Sequence, residues 1–375
     1  MCAKKSAPDP QAPIEPFFEP ALLLRFRKAL KTWYTKFFRT LPWRETRDPY
    51  HIWISEIMLQ QTTVVAVVPY FEKFLKRFPT VQELATADES EVLRFWEGLG
   101  YYSRARNIHK SAKHVTSELA GKFPETVEEL QALPGIGRYT AGAIRSFAFD
   151  LAAPIVEANT LRLYCRLLGY EGDPRSREGQ NKLWQFAEEL IATKEPGRFN
   201  QALMELGALI CTPNNPKCSE CPVNFACQAF ATGKQAEIPR PAVRPEITEV
   251  TELSAIVRRN DQFLVYHRAP GERWAGLWDF PRFPCPDESV KNAKRHPIEL
   301  EGIVANRLGI RVEAEKLLVE IRHSVTRYKI SLRAFLCDHL DGDIAPTVGE
   351  YRWLSAAEVH ALPLSVTGRK LAKLL

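Results

Sequence analysis

Four cysteines in one short stretch, Cys211, Cys218, Cys221 and Cys227, are spaced C-x6-C-x2-C-x5-C. No other feature constrains this chain so tightly, because thiolates that close together can hold a tetrahedral metal or a cubane iron–sulfur cluster. A disulfide scaffold is the poorer explanation, since a chain of 375 residues buries an ample core without cross-links. Zinc sites tend to pair their ligands as two C-x-x-C knuckles. Here only Cys218 and Cys221 form such a pair, which favours iron–sulfur and keeps zinc as the rival. Cys2, Cys165, Cys285 and Cys337 are scattered and read as structural or incidental.

The rest of the chain divides by period. From about Pro20 to Ala231 apolar residues recur at helical spacing, as in Leu23, Phe26, Leu30, Trp33, Tyr34 and Phe37, with breaks at Leu41-Pro42, Phe78-Pro79, Gly98 to Gly100 and Phe123-Pro124. QAEIPRPAVRPEITEV (235–250) is rich in proline and reads as a linker. Beyond it Leu253–Arg259, Gln262–Arg268 and Lys329–Leu336 alternate as strands do. The expectation is a disordered tail (1–16), a mainly α region (17–234), the linker, and an α+β domain (251–375). No stretch approaches 18 uncharged apolar residues, so a transmembrane helix is not expected, and the N-terminus lacks the apolar core of a secretory signal. A net charge of +6 is compatible with nucleic-acid binding without demonstrating it.

Two segments carry chemistry. In LPGIGRYTAG (133–142) one helix ends, Gly135 and Gly137 make a tight turn, and a second helix begins near Arg138. The unpaired N–H groups at the new helix start suit a phosphate oxygen. Glu56 lies within Trp53-Ile54-Ser55-Glu56-Ile57-Met58-Leu59. A carboxyl in so apolar a stretch is desolvated, so its pKa rises and it can donate a proton at neutral pH.

The helix-hairpin-helix (about 126–149) followed by the cysteine loop (211–227) resembles the endonuclease III superfamily of DNA glycosylases. LPWR (41–44), SEIMLQQT (55–62), GLGYYSRARN (98–107) and LPGIGRYTAGAI (133–144) resemble, in order, the MutY-type adenine DNA glycosylases. The resemblance implies a six-helix barrel, an iron–sulfur helical domain holding a [4Fe-4S] cluster on the four cysteines, and excision of adenine mispaired with 8-oxoguanine or guanine in double-stranded DNA. It assigns Glu56 the protonation of adenine N7. Arg39, Leu41, Trp43, Arg44 and Leu59 match walls of the adenine pocket. Gln61, Thr62 and Tyr101 match residues that fill or wedge the duplex once the base is flipped. Gly135, Gly137 and Lys217 would meet phosphates, and a monomer working on DNA is expected, in the cytoplasm if the source is bacterial.

This chain also departs from the family. Where the family has V-D-G-N-x-x-R, positions 156–162 read VEANTLR. Glu157 therefore stands for the second, charge-stabilising carboxylate on a stem one methylene longer, and Asn159 keeps the orienting position. Tyr139 occupies the place where bifunctional relatives carry a Schiff-base lysine, so a monofunctional enzyme that leaves an abasic site is expected. The C-terminal domain resembles a Nudix-like lesion reader through GLWDFP (276–281), yet Gly302–Ile310 lacks the acids of a working Nudix helix. Its lesion-reading loop has Val325, Thr326 and Arg327 in place of F-S-H. Two alternatives stand beside this reading: a related glycosylase for mismatched uracil or thymine or for oxidised pyrimidines, and a lesion-binding protein without catalysis.

Overall fold

The structure, a computed structural model, describes residues 15–242, 246–286, 292–345 and 349–375. Most of the tail expected at 1–16 thus lies outside the described residues. Among the described residues twelve α-helices come first: α1 (Pro20–Phe37), α2 (Pro49–Leu59), α3 (Val64–Arg77), α4 (Val81–Thr86), α5 (Glu89–Phe95), α6 (Ser103–Glu118), α7 (Val127–Ala132), α8 (Arg138–Phe149), α9 (Ala158–Leu168), α10 (Arg177–Leu190), α11 (Pro196–Leu209) and α12 (Gln228–Ala231). Their starts follow local rules. Pro49 opens α2 behind Asp48, whose carboxylate accepts Tyr50 N at 2.8 Å. Thr126 caps α7 by accepting Glu129 N at 3.2 Å. Gly135 takes φ +79° in the turn between α7 and α8, a conformation that an L side chain strains. α1 buries Phe26, Leu30, Trp33 and Tyr34 along one stripe, whereas α2 is buried from Ile52 through Met58 and has no polar face.

After these come β1 (Thr248–Arg259), β2 (Gln262–His267), β3 (Trp278–Asp279), β4 (Arg282–Pro284), α13 (His296–Leu308), β5 (Arg311–Val325), β6 (Tyr328–Asp341), β7 (Tyr351–Ser355), α14 (Ala356–Ala361) and α15 (Val366–Ala372). The strands form one mixed sheet in the order β3-β2-β1-β6-β5, with β4 on β1 and β7 on β2; β1 and β6 run parallel and the other pairs antiparallel. β1 starts at Thr248, inside the stretch read as linker. Its period of two serves two cores: Leu253, Ala255 and Val257 pack with Leu300, Val304 and Leu308 of α13. Ile256 joins Phe280, Leu332, Val359 and Leu371 beneath α14 and α15.

By internal contacts the chain groups into two units that cut across sequence order: residues up to Gln60 with Lys122–Ala242, and Gln61–Gly121 with the residues beyond 242. The first unit's core joins Phe26, Leu30, Trp33 and Tyr34 of α1 to Leu163 and Leu167 of α9, Phe186 of α10 and Leu203 and Leu206 of α11. In the second unit Arg369 of α15 makes a two-pronged ion pair with Glu97, at 2.7 and 2.8 Å, and Arg106 donates to the Ala275 carbonyl. Among the described residues no helix is long and apolar enough to cross a membrane.

Candidate functional site

Glu56 reaches its place because α2 is apolar on every side, which leaves its carboxyl 3% exposed. Oε2 accepts a 2.5 Å hydrogen bond from the Tyr139 hydroxyl at the start of α8. Burial is the largest influence on Glu56 and the Glu157 charge adds to it. The Tyr139 donor and the Arg44 charge pull the other way, and the net result is a carboxyl lifted to about 7. Burial and the same two carboxylates hold the Tyr139 phenol well above its ordinary value, so it stays a proton donor. Its oxygen also lies 3.9 Å from Met204 Sδ.

Glu157 is the N-cap of α9. Its Oε1 accepts Thr160 N at 2.8 Å, and its own N–H donates to Thr160 Oγ1 at 2.9 Å, a reciprocal capping box. Burial raises its pKa, while the N–H groups of Asn159 and Thr160 and the Arg162 charge oppose the rise. Asn159 Nδ2 donates to Glu157 Oε2 at 3.3 Å, and Arg162 Nη2 donates to Asn159 Oδ1 at 3.0 Å. Arg162 continues through Nε to the Cys211 carbonyl at 2.7 Å and through Nη2 to the Gly207 carbonyl at 2.6 Å. A Cβ at Gly207 would stand 2.9 Å from Asn159 Cβ, so glycine is what lets α11 lie against the start of α9. A continuous set of hydrogen bonds thus runs from Glu157 to the backbone of the first cysteine.

One residue of this site is absent from the sequence reading. Glu205 on α11 is fully buried and gathers both candidate pocket arginines. Arg39 donates to it through Nε at 2.6 Å and Nη2 at 2.9 Å, Arg44 through Nη2 at 2.8 Å, and Arg44 Nη1 also holds the Arg39 carbonyl at 3.0 Å. Burial pushes Glu205 up, but the arginine hydrogen bonds outweigh it and its pKa falls below the ordinary range. Two buried carboxyls of the same unit are therefore poised oppositely, Glu56 to keep a proton and Glu205 to stay ionised. Glu205 could have been noticed as a lone acid within Ala202-Leu203-Met204-Glu205-Leu206, the pattern that singled out Glu56. Leu41 and Trp43 are buried, and Leu59 is half-buried at the end of α2.

The other predicted contact residues lie in the second unit or on loops. Gln61 and Tyr101 both adopt left-handed backbone, φ 58° and 47°, and Tyr101 is 49% exposed. Non-glycine residues held in that region cluster at functional sites. Arg104 fixes the Tyr101 loop through the Leu99 carbonyl at 3.0 Å and lies 5.5 Å from the Tyr101 ring centre. Thr62 is half-buried at the start of α3's approach. Thr326, at φ 51° in the β5–β6 turn, is exposed and donates its hydroxyl to the Val325 carbonyl. Gly135, Gly137 and Lys217 are exposed, and Gly137 at the N-cap of α8 makes no side-chain cap hydrogen bond to its first N–H groups.

The four predicted ligand cysteines are free thiols lining one cavity with Leu163, Leu167, Ile210 and Phe230. Burial and neighbouring thiolates push Cys221 up to about 12 and raise Cys218 and Cys227. Four thiols gathered at one cavity are groups that a bound cationic metal would deprotonate. Among the described residues no three His, Cys, Asp or Glu side chains converge as the ligands of a single ion would. A cubane takes one thiolate on each of its four irons. Four thiolates are a donor set that either a cubane iron–sulfur cluster or a tetrahedral metal can use.

A family profile for HhH-GPD superfamily base excision DNA repair proteins matches residues 54–189, and a NUDIX domain profile matches 253–374. An adenine DNA glycosylase of Mus musculus is 41% identical over 72% of this chain, which spans 54% of that protein. One of Buchnera aphidicola subsp. Schizaphis graminum is 37% identical over 74% of this chain and 80% of its own length. Among solved structures, a thermostable thymine-DNA glycosylase superposes with TM-score 0.52 at 30% identity, covering 56% of this chain and 98% of the other. The chain thus spans about half the length of the mouse relative and most of the Buchnera one.

Proposed function

The chain belongs to the adenine DNA glycosylase family, and we propose that it excises adenine mispaired with 8-oxoguanine or guanine from double-stranded DNA, leaving an abasic site. The observation that carries this reading is Glu56: a buried carboxyl that keeps its proton up to about pH 7 beneath the Tyr139 hydroxyl, with Glu157 acting on both. Adenine leaves poorly as an anion. With the base flipped against α2, Glu56 gives its proton to N7, the N-glycosidic bond breaks, and neutral adenine departs. The positive charge left on the sugar is stabilised by the Glu157 carboxylate, as in glycoside hydrolysis. Water then adds to C1′, and its proton restores Glu56. Arg39 and Arg44, locked on Glu205, present fixed guanidinium edges to the base without having to be ordered at each turnover. The phenol at Tyr139 cannot form an imine, so the reaction ends at the abasic sugar.

Cys211, Cys218, Cys221 and Cys227 would hold a [4Fe-4S] cluster. When bound it supplies a rigid link that orders the loop Thr212–Lys217 for phosphate contact. Visible absorption near about 400 nm together with iron in the purified protein supports this assignment; zinc in its place overturns it. The C-terminal domain serves as the reader of the opposite base. Of the two acids in the first half of α13, Glu299 pairs with Arg295 and Glu301 accepts Ala314 N at 2.8 Å, so both are engaged in structure. We place the protein on DNA as a monomer, in the cytoplasm if the source is bacterial.

Single-turnover excision on duplexes carrying A opposite 8-oxoguanine, G, C and T tests the specificity. Excision opposite 8-oxoguanine and G is expected to exceed that opposite C and T by at least about tenfold. Equal rates opposite all four would overturn the assignment. Tyr139→Phe supplies a second test. Its hydroxyl holds the Glu56 pKa down, so its loss raises that pKa and moves the alkaline limb of the pH–rate profile upward, above about pH 7. A limb that stays in place would remove Tyr139 from the acid's environment.

A further inference from the structure

Arg166 lies on α9 one turn beyond Arg162 and is 2% exposed. A guanidinium buried this deeply is costly unless every donor is used. Its Nε donates to the Ile238 carbonyl at 2.8 Å, Nη2 to the Pro213 carbonyl at 3.2 Å, and Nη1 to the Thr212 carbonyl at 2.7 Å and to Cys211 Sγ at 3.3 Å. The backbone of the same residue faces a second candidate ligand, since Cys227 Sγ lies 3.4 Å from the Arg166 carbonyl oxygen. Among the described residues none of the side chain's acceptors is a carboxylate. Its positive charge is therefore not cancelled by an acidic partner, and it falls on the thiol cavity, whose wall it forms beside Cys218 and Cys221.

Resting on the iron–sulfur reading above, we propose that Arg166 is a positioning residue that sets the reduction potential of the cluster held by these cysteines. Adding one electron to a thiolate-bound cluster increases its negative charge. A fixed guanidinium and an N–H···S hydrogen bond stabilise that electron-rich form more than the oxidised one, so both raise the potential. Burial leaves little solvent to screen the effect. The three carbonyls hold the fork in place, because they bind the cysteine loop (Thr212, Pro213) and the chain beyond the cluster (Ile238) to the same guanidinium. Arg162, in contrast, spends its donors on the Glu157 side, through Asn159 and Gly207 and the Cys211 carbonyl, and reaches no sulfur.

The test uses full-length, iron-loaded protein: wild type, Arg166→Lys and Arg166→Met, with iron content and visible absorption measured on each sample before voltammetry. In the measured step one electron passes from the electrode to the cluster, and no bond forms or breaks. Arg166→Met is expected to shift the couple to more negative potential by at least a tenfold change in the reduced-to-oxidised ratio, about 59 mV for one electron. Arg166→Lys keeps the charge but lacks the planar fork, so a smaller shift of the same sign is expected. Unchanged potentials in variants with intact clusters overturn the proposal. If Arg166→Met does not retain iron, the lysine variant decides alone: a negative shift supports the proposal, while lost iron with an unmoved potential in the remaining clusters shows a purely structural role. Wild-type protein lacking iron overturns the cofactor assignment itself, an outcome distinct from an intact cluster whose potential ignores Arg166.

Discussion

Glu56→Gln is expected to lower single-turnover adenine release by at least about a hundredfold while making the folded protein more stable above pH 7. The first effect is loss of the general acid, a contribution usually worth about 10²–10⁴ in rate. The second follows from the raised pKa. A carboxyl whose folded pKa lies above its unfolded value contributes stability that is fully present below the unfolded pKa and lost as pH rises through the folded one. For Glu56 that window runs from the ordinary 4.5 to about 7, and at 1.36 kcal/mol per pH unit the loss above it approaches about 3 kcal/mol. Glutamine accepts the Tyr139 hydrogen bond without the charge, so denaturation midpoints of variant and wild type should diverge at pH 8 and converge near pH 5. A variant that kept the rate would exclude Glu56 as the acid. One that lost the rate without gaining stability at pH 8 would show that the carboxyl is not buried as described.

Replacing Glu157 separates its two tasks. Glu157→Gln keeps the stem length and can still accept Thr160 N, so α9 stays capped, but no anion then faces the developing positive charge. A fall in excision rate of about a hundredfold or more is expected, with thermal stability nearly unchanged. Glu157→Asp keeps the charge, and aspartate is as good a cap; its rate should stay within about tenfold of wild type. Glu157→Ala should cost about 1 kcal/mol of stability through the lost cap, in addition to the rate. Equal rates for Glu157→Gln and wild type would leave Glu157 a capping residue alone.

Much of this was legible in the sequence because the chemistry is local. The turn at Gly135 and Gly137, the lone acid in α2 and the cysteine spacing each show within a few consecutive residues. The structure puts Tyr139 on Glu56, whose roles had been read separately. Glu205 was missed because its meaning depends on Arg39 and Arg44, more than 150 residues earlier, and such pairing leaves no periodic trace. β5 was missed for another reason. It shifts register between Arg311 and Val312, between Ala314 and Leu317, and between Leu317 and Val319, so the alternation that revealed β1 and β6 is broken. Thr248 to Val250 fall in the linker reading because the stretch 235–250 is rich in proline and poor in apolar residues, yet parallel pairing with Tyr328 to Ile330 makes them strand. Partners distant in sequence decide that outcome.

The most direct test identifies the base released by wild-type protein in single turnover from duplexes containing either an A·8-oxoguanine pair or a G·T mispair. The prediction is free adenine from the first, matched mole for mole by abasic sites that break only on treatment with alkali, and no thymine from the second. Thymine release, or tight binding of the A·8-oxoguanine duplex without any free base, would contradict it.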